Sequence, residues 1–322
     1  MTSRRIGRPA RRFLLDRPRG LLHQYVVRTC VIFNPTARGE KAAKFRRHLD
    51  AIGSQSTLKL TAAAGDARRL AAEAVAEGFG TIVAAGGDGT VNEVLNGIAD
   101  APNGLEQSRL GVLPLGTVNV FARELAIPTR LDLAWQAIRE GREQTIDLPA
   151  VEYHHNGKGK RLCFAQLAGA GLDARAIELV SWSLKKKIGP LAYVIAGMNA
   201  LMAPQSQITV TGGDAPVTGE LVLIGNGRLY GGDYRVFPDA DLCDGLLDVC
   251  VFPRANWRTL ARCGPAVLLR GKLPESAVIR LQAASFTVSG QTAASFEVDG
   301  ELGAQLPATF SVQRAGLRVI VP

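Results

Sequence analysis

Thr81-Ile82-Val83-Ala84-Ala85-Gly86-Gly87-Asp88-Gly89-Thr90-Val91-Asn92 decides how the rest of the chain is read. Thr81–Ala85 is a short apolar run of strand character, and Val91–Ile98 behind it is helical in pattern. Between them stand only Gly86-Gly87-Asp88-Gly89-Thr90. A strand that turns on glycines straight into a helix is the leading half of a βαβ unit. Glycines there let the backbone bend sharply and bring bare N–H groups against an anion. The helix that follows aims its positive end at the same charge. Read without chemistry, the five residues are a plain glycine turn with Asp88 as a helix cap.

Working outward, the same alternation continues. Upstream, Tyr25–Phe33 reads as a strand broken by Asn34-Pro35, Gly39–Ile52 as a helix and Thr57–Thr61 as a second strand. Gly65-Asp66 then caps an alanine-rich helix that ends at Gly78. Downstream, Leu110–Leu113 is a strand, and Gly116-Thr117 opens the next helix. This spacing predicts a doubly wound, parallel-sheet α/β domain over residues 25–147.

After Asp147 the texture changes. Val151–Tyr153 and Arg161–Leu167 flank a turn from His154 to Lys160, as a β-hairpin does. A long helical segment, Ala174 to Met202, interrupts. Short β-branched runs follow at Ile208–Thr211, Glu220–Gly225, Leu246–Phe252, Ala277–Leu281, Phe286–Ser289 and Phe296–Asp299, with a helix at Trp257–Leu269. Residues 148–305 are therefore expected to form a β-sandwich-like second domain for an acceptor, with the active site in the cleft between the domains.

Three loops carry the chemistry. An aspartate inside an anion-binding loop repels phosphate unless it works through a divalent cation or positions a reacting group, so Asp88 points to phosphoryl transfer. No G-x-x-x-x-G-K-[ST] occurs, which excludes a P-loop enzyme. Leu113-Pro114-Leu115-Gly116-Thr117-Val118-Asn119 repeats the device, with Thr117 offering a hydroxyl to a nucleotide; an ordinary strand-to-helix connection reads equally well. Asn34-Pro35-Thr36-Ala37-Arg38-Gly39 occupies the corresponding loop after the first strand. Loops at the carboxyl ends of parallel strands converge on one crevice.

Composition sets the outer bounds. The chain of 322 residues is 47% hydrophobic and carries a net charge of +9, so anionic partners such as phospholipid and ATP suit it. Cys30, Cys163, Cys243, Cys250 and Cys263 form no C-x-x-C pair, which argues for reduced, buried thiols rather than zinc or disulfides. The basic extension 1–24 holds seven arginines before residue 20 against Asp16, and is expected to be a flexible, solvated tail or a contact for an anionic surface. Trp182 and Lys185-Lys186-Lys187 open a second candidate membrane contact, against the plainer reading of a packed helix with a solvated lysine cluster. Ile188–Gln207 is too interrupted by glycine and proline to span a bilayer.

The glycine loop, the Leu-Pro-Leu-Gly-Thr loop and the opening Asn-Pro loop together resemble the diacylglycerol kinase catalytic domain, in its bacterial branch of soluble lipid kinases, which is also similar to sphingosine kinases. The resemblance continues in order through Asn226-Gly227, Tyr230-Gly231-Gly232, Pro238-Asp239-Ala240, Asp244-Gly245-Leu246-Leu247-Asp248 and Asp299-Gly300-Glu301, from about Tyr25 to the C-terminus. It implies an ATP-dependent kinase of a lipid hydroxyl, diacylglycerol or a related glycerolipid or sphingoid base. Gly86, Gly87, Asp88, Gly89, Thr90, Val91 and Asn92 would form the ATP loop, with Thr61, Thr117 and Asn34 as further contacts. Glu301 would be the general base, Asp88 the loop acid, and Asp147 an aspartate supporting the site from the domain junction. Asp241, Asp244 and Leu246 would hold a structural Mg²⁺, the first and last chiefly through carbonyls. By the same resemblance, 306–322 returns to pack on the first domain. A cytoplasmic enzyme of phospholipid biosynthesis, peripheral to an anionic membrane and without a nucleic-acid partner, is the expectation; a homodimer stays open.

Two departures stand out: Val120 where many members carry an acid, and Gln166 where many carry asparagine. Two rival readings are a kinase of a soluble acceptor, as in NAD kinases, and an inactive lipid-binding relative. Asn92-Glu93 behind the loop speaks against the first, and retention of Asp88 and Glu301 against the second.

Overall fold

β1 (Thr29–Phe33), β2 (Thr57–Leu60), β3 (Thr81–Gly86) and β4 (Arg109–Pro114) run parallel in the order β2-β1-β3-β4. Their connections carry α1 (Asp66–Ala76), α2 (Asp88–Asp100) and the single turn α3 (Gly104–Gln107); α4 (Val120–Glu124) and α5 (Leu131–Glu140) follow β4. β3 is buried along its whole length, which is why it reads as an unbroken apolar run. The computed structural model describes residues 27–35, 45, 52–172, 174–175 and 205–322. The extension 1–24, Trp182 and Lys185–Lys187 lie outside the described residues, as do most of the expected helices Gly39–Ile52 and Ala174–Met202.

The second part begins with β5 (Arg142–His155), β6 (Lys158–Cys163), β7 (Leu167–Gly171), β8 (Ile208–Thr211), β9 (Val217–Gly219) and β10 (Leu221–Gly225). A small hairpin, β11 (Leu229–Tyr230) and β12 (Tyr234–Arg235), precedes β13 (Leu247–Phe252) and α6 (Trp257–Arg270). β14 (Ile279–Ala283), β15 (Ser285–Gly290), β16 (Ser295–Val298), β17 (Glu301–Gln305) and β18 (Ala308–Val321) complete the chain.

The first sheet is mixed, not wholly parallel as the alternation predicts. β18 joins β4 in parallel at Val319 and Leu110 and pairs antiparallel with β5 from Ala308 to Val321. Both strands are 14 residues long. Each therefore passes from the α/β part into the β-rich part, so one ten-stranded sheet serves both. It faces a six-stranded sheet, β14-β13-β10-β7-β16-β17. Phe164, Phe286, Phe296 and Phe310 fill the core of this β-rich part without solvent exposure. The Phe296 and Phe310 rings meet edge to face at 5.7 Å, and truncating such a phenylalanine to alanine costs about 3–5 kcal/mol.

The β5–β6 turn is tighter than expected. His155 pairs with Lys158, leaving Asn156 (φ 51°) and Gly157 (φ 72°) as a two-residue turn whose positive φ angles match the strands' twist. The expected strand Ala277–Leu281 starts later, because a short helical turn occupies Glu275–Ala277. All five cysteines are free, but Cys243 is exposed, contrary to the expectation of uniformly buried thiols. Burial pushes the Cys30 thiol up to about 11 and that of Cys250 up to about 12, which keeps both unreactive.

Candidate active site at the junction of the two domains

The carboxyl ends of the parallel strands are laced together by backbone bonds. Asn34 N donates to Ala85 O at 3.3 Å and Thr61 N to Phe33 O at 3.0 Å, while Leu115 N and Gly116 N both donate to Gly86 O. The loops after β1, β2, β3 and β4 thus share one edge, as the sequence predicts. The two glycine loops touch: a Cβ on Gly116 would lie 2.6 Å from Gly87 Cα, so this approach requires glycine. α2 begins at Asp88, and its N-cap residue, Gly87, has no side chain to bond the first-turn N–H groups, the kind of helix start that suits an anion.

Asp88 does not cap its own helix. Its Oδ1 accepts from Phe121 N at 3.3 Å and so holds the start of α4 instead. Burial raises the Asp88 pKa, the Asp299 carboxylate raises it further, and the backbone N–H groups of Phe121, Val120 and Asn119 oppose both. α4 starts at Val120 rather than at Thr117, because Asn119 is the N-cap residue in the left-handed region (φ 54°). Its side chain closes a local ring, accepting from Gly116 N at 2.9 Å and donating to Gly116 O at 2.7 Å. Thr117 is left exposed.

From the far end of the chain, Glu301 opens β17 and its carboxylate stands over the glycine loop. A Cβ on Gly89 would lie 3.0 Å from Glu301 Oε1, so bare backbone at residue 89 makes room for this carboxylate. Two residues earlier, Asp299 gathers four donors: Asn92 Nδ2 at 2.9 Å, Ala165 N at 2.7 Å, Gln166 N at 2.9 Å and Leu167 N at 3.1 Å. Burial raises its pKa and these donors pull it back. Asn92 also donates to Cys163 O at 3.2 Å, beside Asn96. Its amide ties α2 to the β-rich part. Thr61 and Thr90 are buried, Val91 packs in the core, and Asn34 is partly exposed.

Asp147 is 1% exposed. Its Oδ1 accepts from Ala315 N at 2.7 Å and its Oδ2 from Gly245 N at 2.5 Å. It therefore fastens the irregular stretch of β18 and the loop 241–246 to β5. In that loop Asp241 Oδ1 accepts from Cys243 N at 3.0 Å and Asp244 Oδ1 from Leu246 N at 2.8 Å. No three His, Cys, Asp or Glu side chains gather among the described residues. A cation in this loop would be held chiefly by carbonyl oxygens and water with one carboxylate, a hard donor set that suits Mg²⁺.

Sequence reading missed three carboxylates and gave a fourth residue, Gln166, too little. Glu93 receives Gly65 N at 2.9 Å and Ala67 N at 3.0 Å, so it, not only Asp66, holds the start of α1. Glu124 Oε2 receives Gln166 Nε2 at 2.9 Å and Leu229 N at 2.9 Å, joining α4 to β11. Asp299 was read only as one letter of Asp-Gly-Glu. The departure at Gln166 is thereby accounted for: the longer amide reaches Glu124. Val120, where an acid is common, is 7% exposed and has no room for water around a charge.

The diacylglycerol kinase catalytic domain family model matches residues 28–151, and the YegS C-terminal NAD kinase beta sandwich-like domain matches 166–321. A diacylglycerol kinase of Staphylococcus saprophyticus is 33% identical over 310 residues, covering 92% of this chain and 95% of that protein. One from Staphylococcus aureus (strain bovine RF122 / ET3-1) is 33% identical over 308 residues, 92% of each chain. This chain belongs to the diacylglycerol kinase family. Among solved structures, a diacylglycerol kinase from Bacillus anthracis str. Sterne shares the fold with a TM-score of 0.64 at 20% identity, over 92% of this chain and 97% of that one. Family membership makes the chain a kinase that transfers phosphate to a lipid hydroxyl, with ATP as the implied donor.

Proposed function

We propose that this kinase moves the γ-phosphate of ATP onto a hydroxyl of diacylglycerol or of a related glycerolipid or sphingoid base, at the junction of Gly86–Asn92 with Asp299–Glu301. The observation that carries this reading is the Glu301 carboxylate standing over Gly89. In this scheme the triphosphate lies on the N–H groups of the glycine loop and the start of α2. Glu301 accepts the proton of the acceptor hydroxyl as that oxygen bonds to the γ-phosphorus, and the bond to the β,γ-bridging oxygen breaks to release ADP. Asp88 and Asp147 position groups: Asp88 sets α4 against the glycine loop, and Asp147 sets the loop 241–246. Mg²⁺ would neutralise phosphate charge as the reaction proceeds.

A lipid acceptor also suits the apolar cavity of about 280 Å³ between α6 and the six-stranded sheet, which Leu221, Leu223, Phe252 and Val267 help to line. Tyr230 lines it too, one residue from the Leu229 that binds Glu124 on α4. The cavity is close in size to small-ligand pockets, about 300–1,000 Å³, and takes part of an acyl chain. No helix among the described residues is long and apolar enough to cross a membrane. The lipid acceptor is our reason to place the enzyme at a cytoplasmic membrane surface as a peripheral protein. The test is incubation of the purified protein with [γ-³²P]ATP, Mg²⁺ and a total lipid extract in detergent. Label in an organic-soluble phospholipid is expected; label only in NAD or another soluble acceptor overturns the proposal.

A further inference from the structure

We propose that α6 docks this protein on an anionic bilayer, an inference that rests on the lipid-kinase reading for the nature of the occupant. A helix laid against a sheet normally turns its apolar stripe inward and polar residues outward. α6 turns Cys263 and Val267 inward, but its outer face is not polar. Trp257 is 69% exposed, Leu260 48% and Leu269 85%, and Ala261 and Pro265 between them are exposed as well. Three of the large apolar side chains exposed among the described residues lie on this one helix; Val27, Leu60, Leu133, Ile279 and Leu302 lie outside it.

The charge around it has one sign. Arg254, Arg258, Arg262 and Lys272 are exposed beside the apolar side chains, and from Arg254 to Ala277 the only acid is Glu275. Among the described residues none of these four cations has a carboxylate partner, unlike Arg68, Arg69 and Arg130 on the α/β part. The Arg258 guanidinium stands 5.5 Å from the Trp257 ring centre. Interfacial tryptophan and leucine flanked by arginines is the composition of a helix lying in a lipid headgroup layer. A protein interface of this area would be depleted in unpaired charge at its centre, whereas an anionic bilayer pairs every cation. The face is also continuous with the lipid path: Leu260, half-exposed on the outside, lines the apolar cavity within. A bilayer under α6 therefore abuts the mouth through which an acyl chain enters.

The experiment uses the full chain without nucleotide, so that it is read independently of catalysis. With vesicles of phosphatidylglycerol and phosphatidylcholine at low salt, Arg258→Gln with Arg262→Gln should lower the partition coefficient about fivefold per arginine, and added salt should weaken wild-type binding. Trp257→Ser with Leu269→Ser should lower it further, including at high salt. Because the basic extension could hold the protein on vesicles by itself, a direct probe is added: a polarity-sensitive fluorophore on Leu269→Cys in a Cys243→Ser background. Its emission should shift to the blue on anionic vesicles. An unshifted probe together with unchanged partitioning of both variants overturns the proposal. So does a concentration-dependent dimer of the wild type that Trp257→Ser with Leu269→Ser abolishes, which would make the face an interface between copies. Activity on detergent-dispersed lipid should stay within twofold of wild type in the arginine pair variant and in Trp257→Ser with Leu269→Ser. Its absence in the wild type would instead sink the lipid-kinase reading.

Discussion

Asp88-Gly89 and Asp244-Gly245 are the same two letters, each ending an aspartate-containing loop next to the junction of the domains, yet the fold uses them differently. Around Asp88, segments more than two hundred residues apart meet: the glycine loop, the start of α4, and Asp299–Glu301. Around Asp244 the contacts are local, its carboxylate closing on Leu246 N, and the loop is fastened from outside by Asp147. The first place gathers carboxylates that repel one another, which is unfavourable for stability and useful for chemistry. The second also holds neighbouring carboxylates, burial and then Asp244 raising the pKa of Asp248, but ties Asp241 and Asp244 by short-range backbone bonds, which is useful for order.

If that contrast is right, the largest effect falls on Glu301. Glu301→Gln should lower turnover by about 10²–10⁴-fold, the usual range for a lost general base, while the fold is kept, as the exposed side chain takes an isosteric amide. Near-normal turnover with ATP and detergent-dispersed lipid would break the contrast at its strongest point.

Asp299 should behave in the opposite way. Asp299→Ala leaves four N–H donors without their acceptor, at about 1–3 kcal/mol for each one left buried and unsatisfied. Chemical denaturation should show at least about 3 kcal/mol of lost stability, and a smaller loss than for an ordinary surface aspartate would remove its role as the tie between α2 and β7.

Asp88 sharpens the comparison through pH. Its folded pKa is raised above the ordinary 3.8 by burial and by Asp299, so the protonated form is favoured in the fold. The sign follows: its contribution is full below the ordinary value and is lost as pH rises through the raised one. Asp88→Asn, which can still accept from Phe121 N, should lower turnover severely while gaining stability relative to wild type as pH rises from 4 to 8. A stability difference that is flat across that range would show that Asp88 carries no such strain.

The smallest effect is expected at the second loop. Asp244→Ala should lower the melting temperature by a few degrees in Mg²⁺ and flatten its dependence on Mg²⁺ concentration. Equal Mg²⁺-induced shifts in wild type and variant would remove the cation from the loop 241–246.

Much of this was legible before any coordinates, for local reasons. Glycines between an apolar strand and a helix specify a turn by backbone sterics alone, so the loop after β3 is visible in Gly86–Thr90. The partner of a carboxylate is not visible in this way. Asp88 looked like the cap of α2 and caps α4; the Asn92 side chain, expected beside a nucleotide, bonds Asp299 and Cys163; the partners of Glu93 and Glu124 had no signal in the sequence. Asn119, not Thr117, starts α4, because its short amide can ring-close onto Gly116 in a left-handed conformation.

By itself the sequence determined the strand–helix alternation around the glycine loops, the change to short strands after Asp147, and the family, since these depend on side-chain periodicity, backbone freedom and short spacings. Only the tertiary structure decided how the returning segment 306–322 is seated, parallel to β4 and antiparallel along β5, that Glu301 comes to stand over Gly89, and that α6 leaves Trp257 and Leu269 facing outward. The physical reason is that each of these is set by the packing of distant segments around a shared core. Burial, repulsion between carboxylates and the fit of one backbone against another exist only once those segments have met.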